Sequence, residues 1–302
     1  MKDSLHSDVD LLQSTNDSLL SNSGKLLRPI ITLLVARACG AVNEDTIHYA
    51  AGVELLHNAT LMHDDVTDES TERRGRPTLV SVLGPTAAVL VGDFWLARAV
   101  ELVIRSKHHD RVVSFFSKTL TDLSEGEMLQ LEKASRADTT ENDYFRIIYC
   151  KTASLFEAAA AAAADSVCAS DELFEAACGY GRYMGLAFQI KDDILDYAGT
   201  AELGKPVGVD LREQKITLPL LGAMKGSPEA EEMRAKVRDI HQHPEYYEEV
   251  RDFVWARGGI EYASAKLDEF IGKAVSFLGV FPEGQAKEYL RQLAEYNAFR
   301  QV

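Results

Sequence analysis

The sequence is poor in the residues that make small folds rigid from outside. Four cysteines, Cys39, Cys150, Cys168 and Cys178, occur in 302 residues, and no two share a CxxC spacing. That spacing gives no sign of a zinc ribbon or a disulfide scaffold, and a reducing compartment, the cytoplasm, is the expectation. Positive charge is also scarce. Lys plus Arg number 32 against 47 Asp plus Glu, a formal balance of 32 − 47 = −15. Bulk charge of this sign does not grip a phosphodiester backbone, so no nucleic-acid partner is expected. Any phosphate chemistry must rely on a few local cations or on metal ions. No basic and then apolar leader opens the chain, since Met1 to Asp10 is polar and acidic. The longest bare apolar run, Ala158 to Ala164, is too short to span a bilayer and is bounded by Glu157 and Asp165. No stable membrane insertion is expected.

Proline is absent between Pro85 and Pro206, which leaves room for several long helices without a breaker. Apolar residues recur at helical spacing in Ile30 to Ala38, Val53 to Met62, Ala88 to Ile104, Val112 to Leu131 and Leu173 to Leu195. Alternating strand patterns and Asn-Gly or Asp-Gly turns are missing. Composition alone, 46% hydrophobic and 26% charged, is that of an ordinary globular chain. The fold class is all-α. Loops are expected at 21–24, 71–78, 199–208 and 226–228. A prior of about 150 residues per domain allows two domains. No repeat, linker or composition break divides the chain, so a single domain over 1–302 is expected. The alanine run predicts a tightly packed core helix, its bare methyl groups letting a neighbouring backbone approach.

Two stretches carry the chemistry. His63-Asp64-Asp65-Val66-Thr67-Asp68 and Gln189-Ile190-Lys191-Asp192-Asp193-Ile194-Leu195-Asp196 each spell Asp-Asp-x-x-Asp at the end of an apolar helical pattern. Spacings of three and four place these side chains on one helix face, where three carboxylates repel unless cations sit among them. Hard divalent ions with oxygen ligands suit such clusters, and Mg²⁺ typically takes one or two carboxylates plus substrate phosphates. A single such motif is usually a solvated acidic helix end; two copies behind apolar stripes favour metal. A calcium loop does not fit, because neither copy has the glycine and distal glutamate of an EF-hand. Glu54 and His57 spell the Glu-x-x-His of di-iron bundles, which require that motif on two helices, and no second copy exists. Around the aspartates stand Lys25 and Arg28, Arg73 and Arg74, Lys151, Lys205 and Lys215. Each alone reads as a surface charge. Seven flanking two metal-type clusters in an acidic chain suggest a diphosphate site. His57 lies seven residues before Asp64, about 10 Å along the same helix face.

These residues resemble the trans-type isoprenyl diphosphate synthases, or polyprenyl synthetases, over nearly the whole chain. The resemblance rests on motifs in family order: Gly24-Lys25-Leu26-Leu27-Arg28-Pro29, the first aspartate motif with Arg73-Arg74-Gly75, and Gly126-Glu127 leading to Gln130. Lys151-Thr152, Phe188-Gln189-Ile190 before the second motif, Gly204-Lys205-Pro206-x-Gly208-x-Asp210 and Lys215-x-Thr217-Leu218-Pro219 complete it. It implies an isoprenoid synthase fold, a bundle of about ten or more helices around a deep central cavity. It also implies condensation of isopentenyl diphosphate with an allylic diphosphate, farnesyl or geranylgeranyl. Asp64, Asp65, Asp68, Asp192, Asp193 and Asp196 would hold about three Mg²⁺ ions, with Mn²⁺ able to substitute. Arg73, Lys151, Lys205 and Lys215 would contact the allylic diphosphate; Lys25, Arg28, His57 and Arg74 would bind isopentenyl diphosphate. Gln189 and Thr152 would stand near the reacting centre. Family members that stop at the farnesyl stage often carry an aromatic plug near Ala59 and Thr60, which lie five and four residues before Asp64. Both are small here, so a long-chain product is expected, hexaprenyl to decaprenyl, such as a quinone side chain delivered to a membrane. Phe115 or Phe116, about 21 Å down the helix from Gln130, would form a deeper floor.

The family habit is a homodimer. The chain begins closer to the Gly-Lys-x-x-Arg turn than relatives usually do, which bears on dimer stability. Ser23 and Gln214 stand where glycine is usual. Three alternatives are weighed against this reading. A class I terpene cyclase has no use for a second diphosphate site. A non-catalytic partner subunit typically lacks one aspartate motif. A metal-binding scaffold leaves the ordered cations unexplained. A shorter, farnesyl or geranylgeranyl, product is the alternative within the family.

Overall fold

The structure, a computed structural model, describes residues 1–21, 24–73, 75–107, 109–198 and 208–300. Helices dominate, as the periodicity requires. In chain order they are α1 (Asp10–Leu20), α2 (Leu27–Cys39), α3 (Glu44–Thr67), α4 (Leu79–Leu83), α5 (Pro85–Ile104), α6 (His109–Arg136), α7 (Glu141–Ile148), α8 (Ser154–Ser166) and α9 (Asp171–Ala198). Then follow α10 (Val209–Arg212), α11 (Leu218–Met224), α12 (Ala230–Arg238), α13 (Tyr246–Ala256), α14 (Gly259–Phe277) and α15 (Gln285–Phe299). All five stretches of helical spacing fall inside helices. Residues 71–78, expected as loop, contain a minimal antiparallel hairpin, β1 (Glu72–Arg73) with β2 (Arg76–Pro77). Two paired residues per strand leave no alternating pattern to read. Gly75 at φ +74° makes the turn.

The chain forms two compact units, Met1–Ser117 with Ala158–Cys178 and Val280–Leu290, and Lys118–Glu157 with Gly179–Gly279 and Arg291–Val302. In the first, α3 is the central helix and packs on α2 and α5. It is buried nearly all round between Tyr49 and Leu56, which is the pattern of a core helix. Asn43 and Thr46 form a reciprocal capping box at its start, and Asn43 also donates to the Ser166 carbonyl at 2.6 Å. A buried polar bridge ties α1 to α5: Trp95 Nε1 donates to Asn16 Oδ1 at 2.8 Å, and Asn16 Nδ2 to the Leu5 carbonyl at 2.8 Å. Orphaning either partner would cost about 1–3 kcal/mol. The alanine run is buried throughout, Ala159 to Ala164 fully, as expected of a packed core helix.

In the second unit α11 packs on α13 and α14, and α7 runs into a π-helical turn, Tyr149–Ala153, before α8. A capping box of Thr140 and Asp143 starts α7, which buries Tyr144, Ile147 and Ile148 on one face. The stretch Glu141–Ser166 is long and apolar enough to cross a membrane, but 83% of its most apolar window is buried inside the protein.

Candidate diphosphate site

The first aspartate motif ends α3 in the first unit. Asp64 is half-buried, Asp65 is buried, and Asp68 is the exposed C-cap whose N–H donates to the Asp64 carbonyl at 2.9 Å. The hairpin after it folds back, so that Arg73 Nε donates to Asp65 Oδ1 at 2.8 Å. The cation that the family resemblance assigns to a diphosphate thus rests on a carboxylate of the motif. Lys25 is exposed and Arg28 half-buried around the start of α2, where Leu26 takes a left-handed φ of +53°. His57 is half-buried two turns before Asp64, its carbonyl accepting from the Thr60 hydroxyl at 2.9 Å. Arg74 and Lys205 lie outside the described residues.

The second motif ends α9 in the second unit, and each of its carboxylates has a different partner. Asp192 Oδ1 accepts from Arg300 Nη1 at 2.7 Å. The same guanidinium, 4% exposed, donates to the Phe188 carbonyl and to Asn297 Oδ1, each at 2.7 Å, and stacks on the Phe188 ring. Asp193 is buried; Tyr144 donates its hydroxyl to Oδ2 at 2.6 Å and Gln189 Nε2 donates to Oδ1 at 2.9 Å. Asp196 accepts from the Val209 and Asp210 amides at 3.0 and 3.2 Å, capping α10. Loss of hydration pushes the Asp193 carboxyl up to about 7, its two hydrogen bonds opposing and the neighbouring Asp192 and Asp196 charges adding to the rise. Burial raises Asp196 as well, and Asp210 beside them is pushed well above the carboxylate range by burial and by both aspartates.

A cleft of about 180 Å³ opens here, lined by Gln130, Tyr144, Lys151, Gln189, Asp193, Asp210 and Lys215 among others. Lys151 sits on the π-helical turn, a device often found at functional sites. Its ammonium donates to Gln130 Oε1 at 3.0 Å and pairs with Glu127. Gly126 makes that approach possible, because a methyl group there would lie 2.7 Å from the Cys150 Cβ. Thr152, also on the turn, donates to Gln189 Oε1 at 2.7 Å. Behind it, a Cβ on Gly185 would come within 2.5 Å of the Ala153 Cα, so α9 packs directly on the turn. Lys215 pairs with Glu213, and Gln214 between them has φ +60°, the left-handed conformation that makes glycine usual at this position.

Among the described residues, no three His, Cys, Asp or Glu side chains converge into a ready-made metal site. The reason is electrostatic. Adjacent carboxylates are each held by a neighbour, Asp65 by Arg73, Asp192 by Arg300, and Asp193 and Asp196 by neutral donors. An all-carboxylate donor set without a closed cage fits a hard divalent cation that completes its shell with substrate phosphate oxygens.

Tyr144 and Arg300 belong to these contacts but are not singled out by the sequence, and Glu127 and Asp210 enter it only as parts of motifs. Tyr144 and Arg300 meet the aspartates across 49 and 108 residues of chain, which no local spacing reveals. Of the pocket residues in the first unit, Ala59 is buried and Thr60 half-buried on α3. Phe116 is buried beside Gly52 of α3, whose added Cβ would meet its ring at 3.7 Å, whereas Phe115 packs on Phe174 with ring centroids 5.7 Å apart.

A family model described as polyprenyl synthetase matches residues 9–254. The chain is 41% identical over 292 residues to an octaprenyl diphosphate synthase of Escherichia coli (strain K12), covering 96% of this chain and 90% of that protein. Among solved structures, a polyprenyl synthase from Caulobacter crescentus CB15, complexed with calcium and isoprenyl diphosphate, superposes with a TM-score of 0.91. It is 36% identical, covering 100% of this chain and 92% of that one. A decaprenyl diphosphate synthase from Rhodobacter capsulatus gives a TM-score of 0.92 at 35% identity, covering 100% and 94%.

Proposed function

Because the chain belongs to the polyprenyl synthetase family, we propose that it is a trans-prenyltransferase that joins isopentenyl diphosphate to an allylic diphosphate, making a long-chain all-trans polyprenyl diphosphate. The observation that carries this reading is 41% identity to an octaprenyl synthase across 96% of the chain. Both aspartate motifs and the ordered lysines are complete within that span. Farnesyl or geranylgeranyl diphosphate is the primer, and the product serves as a quinone side chain.

In this reading Asp64, Asp65, Asp68, Asp192, Asp193 and Asp196 would hold the Mg²⁺ ions. Bound there, about three such ions would supply positive charge to offset that on the leaving diphosphate. Arg73, Lys151, Lys205 and Lys215 bind the allylic diphosphate, the lysines as point charges and the arginine as a fork. Lys25, Arg28, His57 and Arg74 hold the diphosphate of isopentenyl diphosphate and aim its double bond at the allylic carbon. The allylic C–O bond breaks, the new C–C bond forms, and a proton leaves the joined chain. An oxygen of the departed diphosphate takes that proton. Apolar walls keep water from the cation. Ala59 and Thr60 leave the channel beside α3 open, and Phe116 on Gly52 is its floor.

The 302 residues act as one catalytic domain, in the cytoplasm, as a homodimer. Apolar residues on the outer face of α5, Leu90 at 63% exposure and Ile104 at 52%, support association. The test is an incubation of purified protein with Mg²⁺, isopentenyl diphosphate and farnesyl diphosphate, with products resolved by chain length. A long polyprenyl diphosphate is expected. A geranylgeranyl-sized product would keep the enzyme and remove the open channel, and absence of elongation with any allylic primer would leave a regulatory subunit.

A further inference from the structure

Four side chains in the second unit form an unbroken chain of hydrogen bonds: Tyr144 to Asp193, Asp193 to Gln189, and Gln189 to Thr152. Their chemistry gives the chain a direction. In its ionised form, the form that a bound cation would select, the Asp193 carboxylate only accepts, so the Gln189 edge facing it is the amide N–H₂. The Gln189 carbonyl then faces Thr152, whose hydroxyl must donate to it at 2.7 Å. A hydroxyl alone could not impose this, since it donates or accepts equally well, and with only Thr152 as neighbour the amide could turn over. Asp193 holds the direction only while it keeps its own orientation. That is the role left to Tyr144, which is 2% exposed and donates to the second carboxylate oxygen at 2.6 Å.

We propose that Tyr144 is a positioning residue: acting through Asp193, it fixes the Gln189 amide so that the Thr152 oxygen is left with lone pairs rather than a proton. Of Gln189's two amide protons, one goes to Asp193 and the other remains as a donor in the cleft that Gln189 lines. The Thr152 oxygen, its own proton engaged, is an acceptor for positive charge. Such a polarity suits a reaction that develops a carbocation beside a leaving anion, and to that extent the inference rests on the proposed activity. Asp193 thereby also serves the site as a strut, each of its oxygens holding one protein donor and keeping a further lone pair for a cation.

The test is a double-mutant cycle between two residues joined only through Asp193. Tyr144→Phe, Gln189→Ala and the double variant are compared with the parent for elongation of farnesyl diphosphate with Mg²⁺ and isopentenyl diphosphate. Tyr144→Phe is expected to lower kcat about tenfold, the worth of one buried charge-assisted hydrogen bond, while leaving both KM values within about twofold. In the Gln189→Ala background the same change should cost less than about twofold. Equal losses in both backgrounds would overturn the proposal, because a merely structural tyrosine acts independently of Gln189. The same four proteins are unfolded in urea without metal or substrate. Coupling between Tyr144 and Gln189 there supports the chain without any catalysis, and additive midpoint shifts overturn it. A parent protein that elongates no primer would end the prenyltransferase reading, and the unfolding cycle would still decide the hydrogen-bond chain.

Discussion

Asp193 is stabilised by two donors and penalised by its loss of water, and the second effect is the larger, since its carboxyl titrates near 7. An acid whose folded value lies above its unfolded one, about 3.9, binds more protons folded than unfolded. Stability therefore falls as pH rises between those values, and the whole penalty is present above the folded value. In metal-free protein the urea midpoint is expected to drop between about pH 4 and pH 7, and Asp193→Asn should make that drop shallower without abolishing it, since Asp196 and Asp210 are raised as well. A parent midpoint constant across this range would contradict the burial argument. In the proposed reading product length depends on single side chains. Ala59→Tyr is expected to shorten the longest product, and Phe116→Ala to lengthen it, both read by chromatography of the dephosphorylated prenols. Circular dichroism must show the fold intact, because Ala59 is 1% exposed and a ring there has to displace its neighbours. The two aspartate motifs could be picked out as candidates because their pattern is local, carried by spacings of one to four residues. Tyr144 and Arg300 were not, because each becomes meaningful only when distant helices meet α9.

At the scale of elements, the long helices could be read from periodicity alone, since α3, α5, α6 and α9 each bury an apolar face through several turns. The π-helical turn at Tyr149–Ala153 could not. Its side chains suit an α-helix equally well, and only the packing of Gly126 and Gly185 against it reveals the wider turn. Gly126→Ala tests this contact. The new methyl would meet Cys150 Cβ at 2.7 Å and Lys151 Cγ at 3.0 Å, an overpacking worth about 1–3 kcal/mol of stability. Because Lys151 must shift away from Gln130, kcat should fall about tenfold or more. An unchanged kcat with lowered stability would show that the Lys151–Gln130 contact is structural only. The C-terminal turn of α15 is similarly tied to α9, through Arg300 on Asp192 and through Lys191 Nζ on the Ala298 carbonyl at 2.8 Å.

For the whole molecule, an acidic balance of −15 is compatible with the proposed diphosphate chemistry, because that chemistry asks for a few local cations and not for a basic surface. All-α architecture followed from the proline-free middle and the absence of strand patterns, and the single strand pair among the described residues, Glu72–Arg73 with Arg76–Pro77, is too short to have left a pattern. The division into two compact units was not legible, since the chain passes between them within α6, α8, α9 and α15 and again after Gly279, and no linker marks the crossings. If the outer face of α5 carries a second copy, Leu90→Glu should convert the protein to monomers, measured by light scattering after size exclusion. An unaltered mass would place any contact elsewhere.

The widened turn also stores one residue of slack between α7 and α8. A regular helix advances about 100° per residue, and the π turn holds extra backbone within one turn. Upstream of it, Tyr144 reaches Asp193 on α9; downstream, the Phe156 ring meets Phe188 at 5.6 Å and Glu157 pairs with Arg182, also on α9. Deleting one residue from 149–153 would let a regular helix span the gap, because about four of its residues complete the rotation that five complete in the wider turn. Both flanks would keep their contacts with α9, and only the side chains carried between them, Lys151 and Thr152 among them, would be re-aimed. The extra residue therefore belongs to the cleft rather than to the scaffold: the helix could lose it, but the side chains that the bulge presents could not.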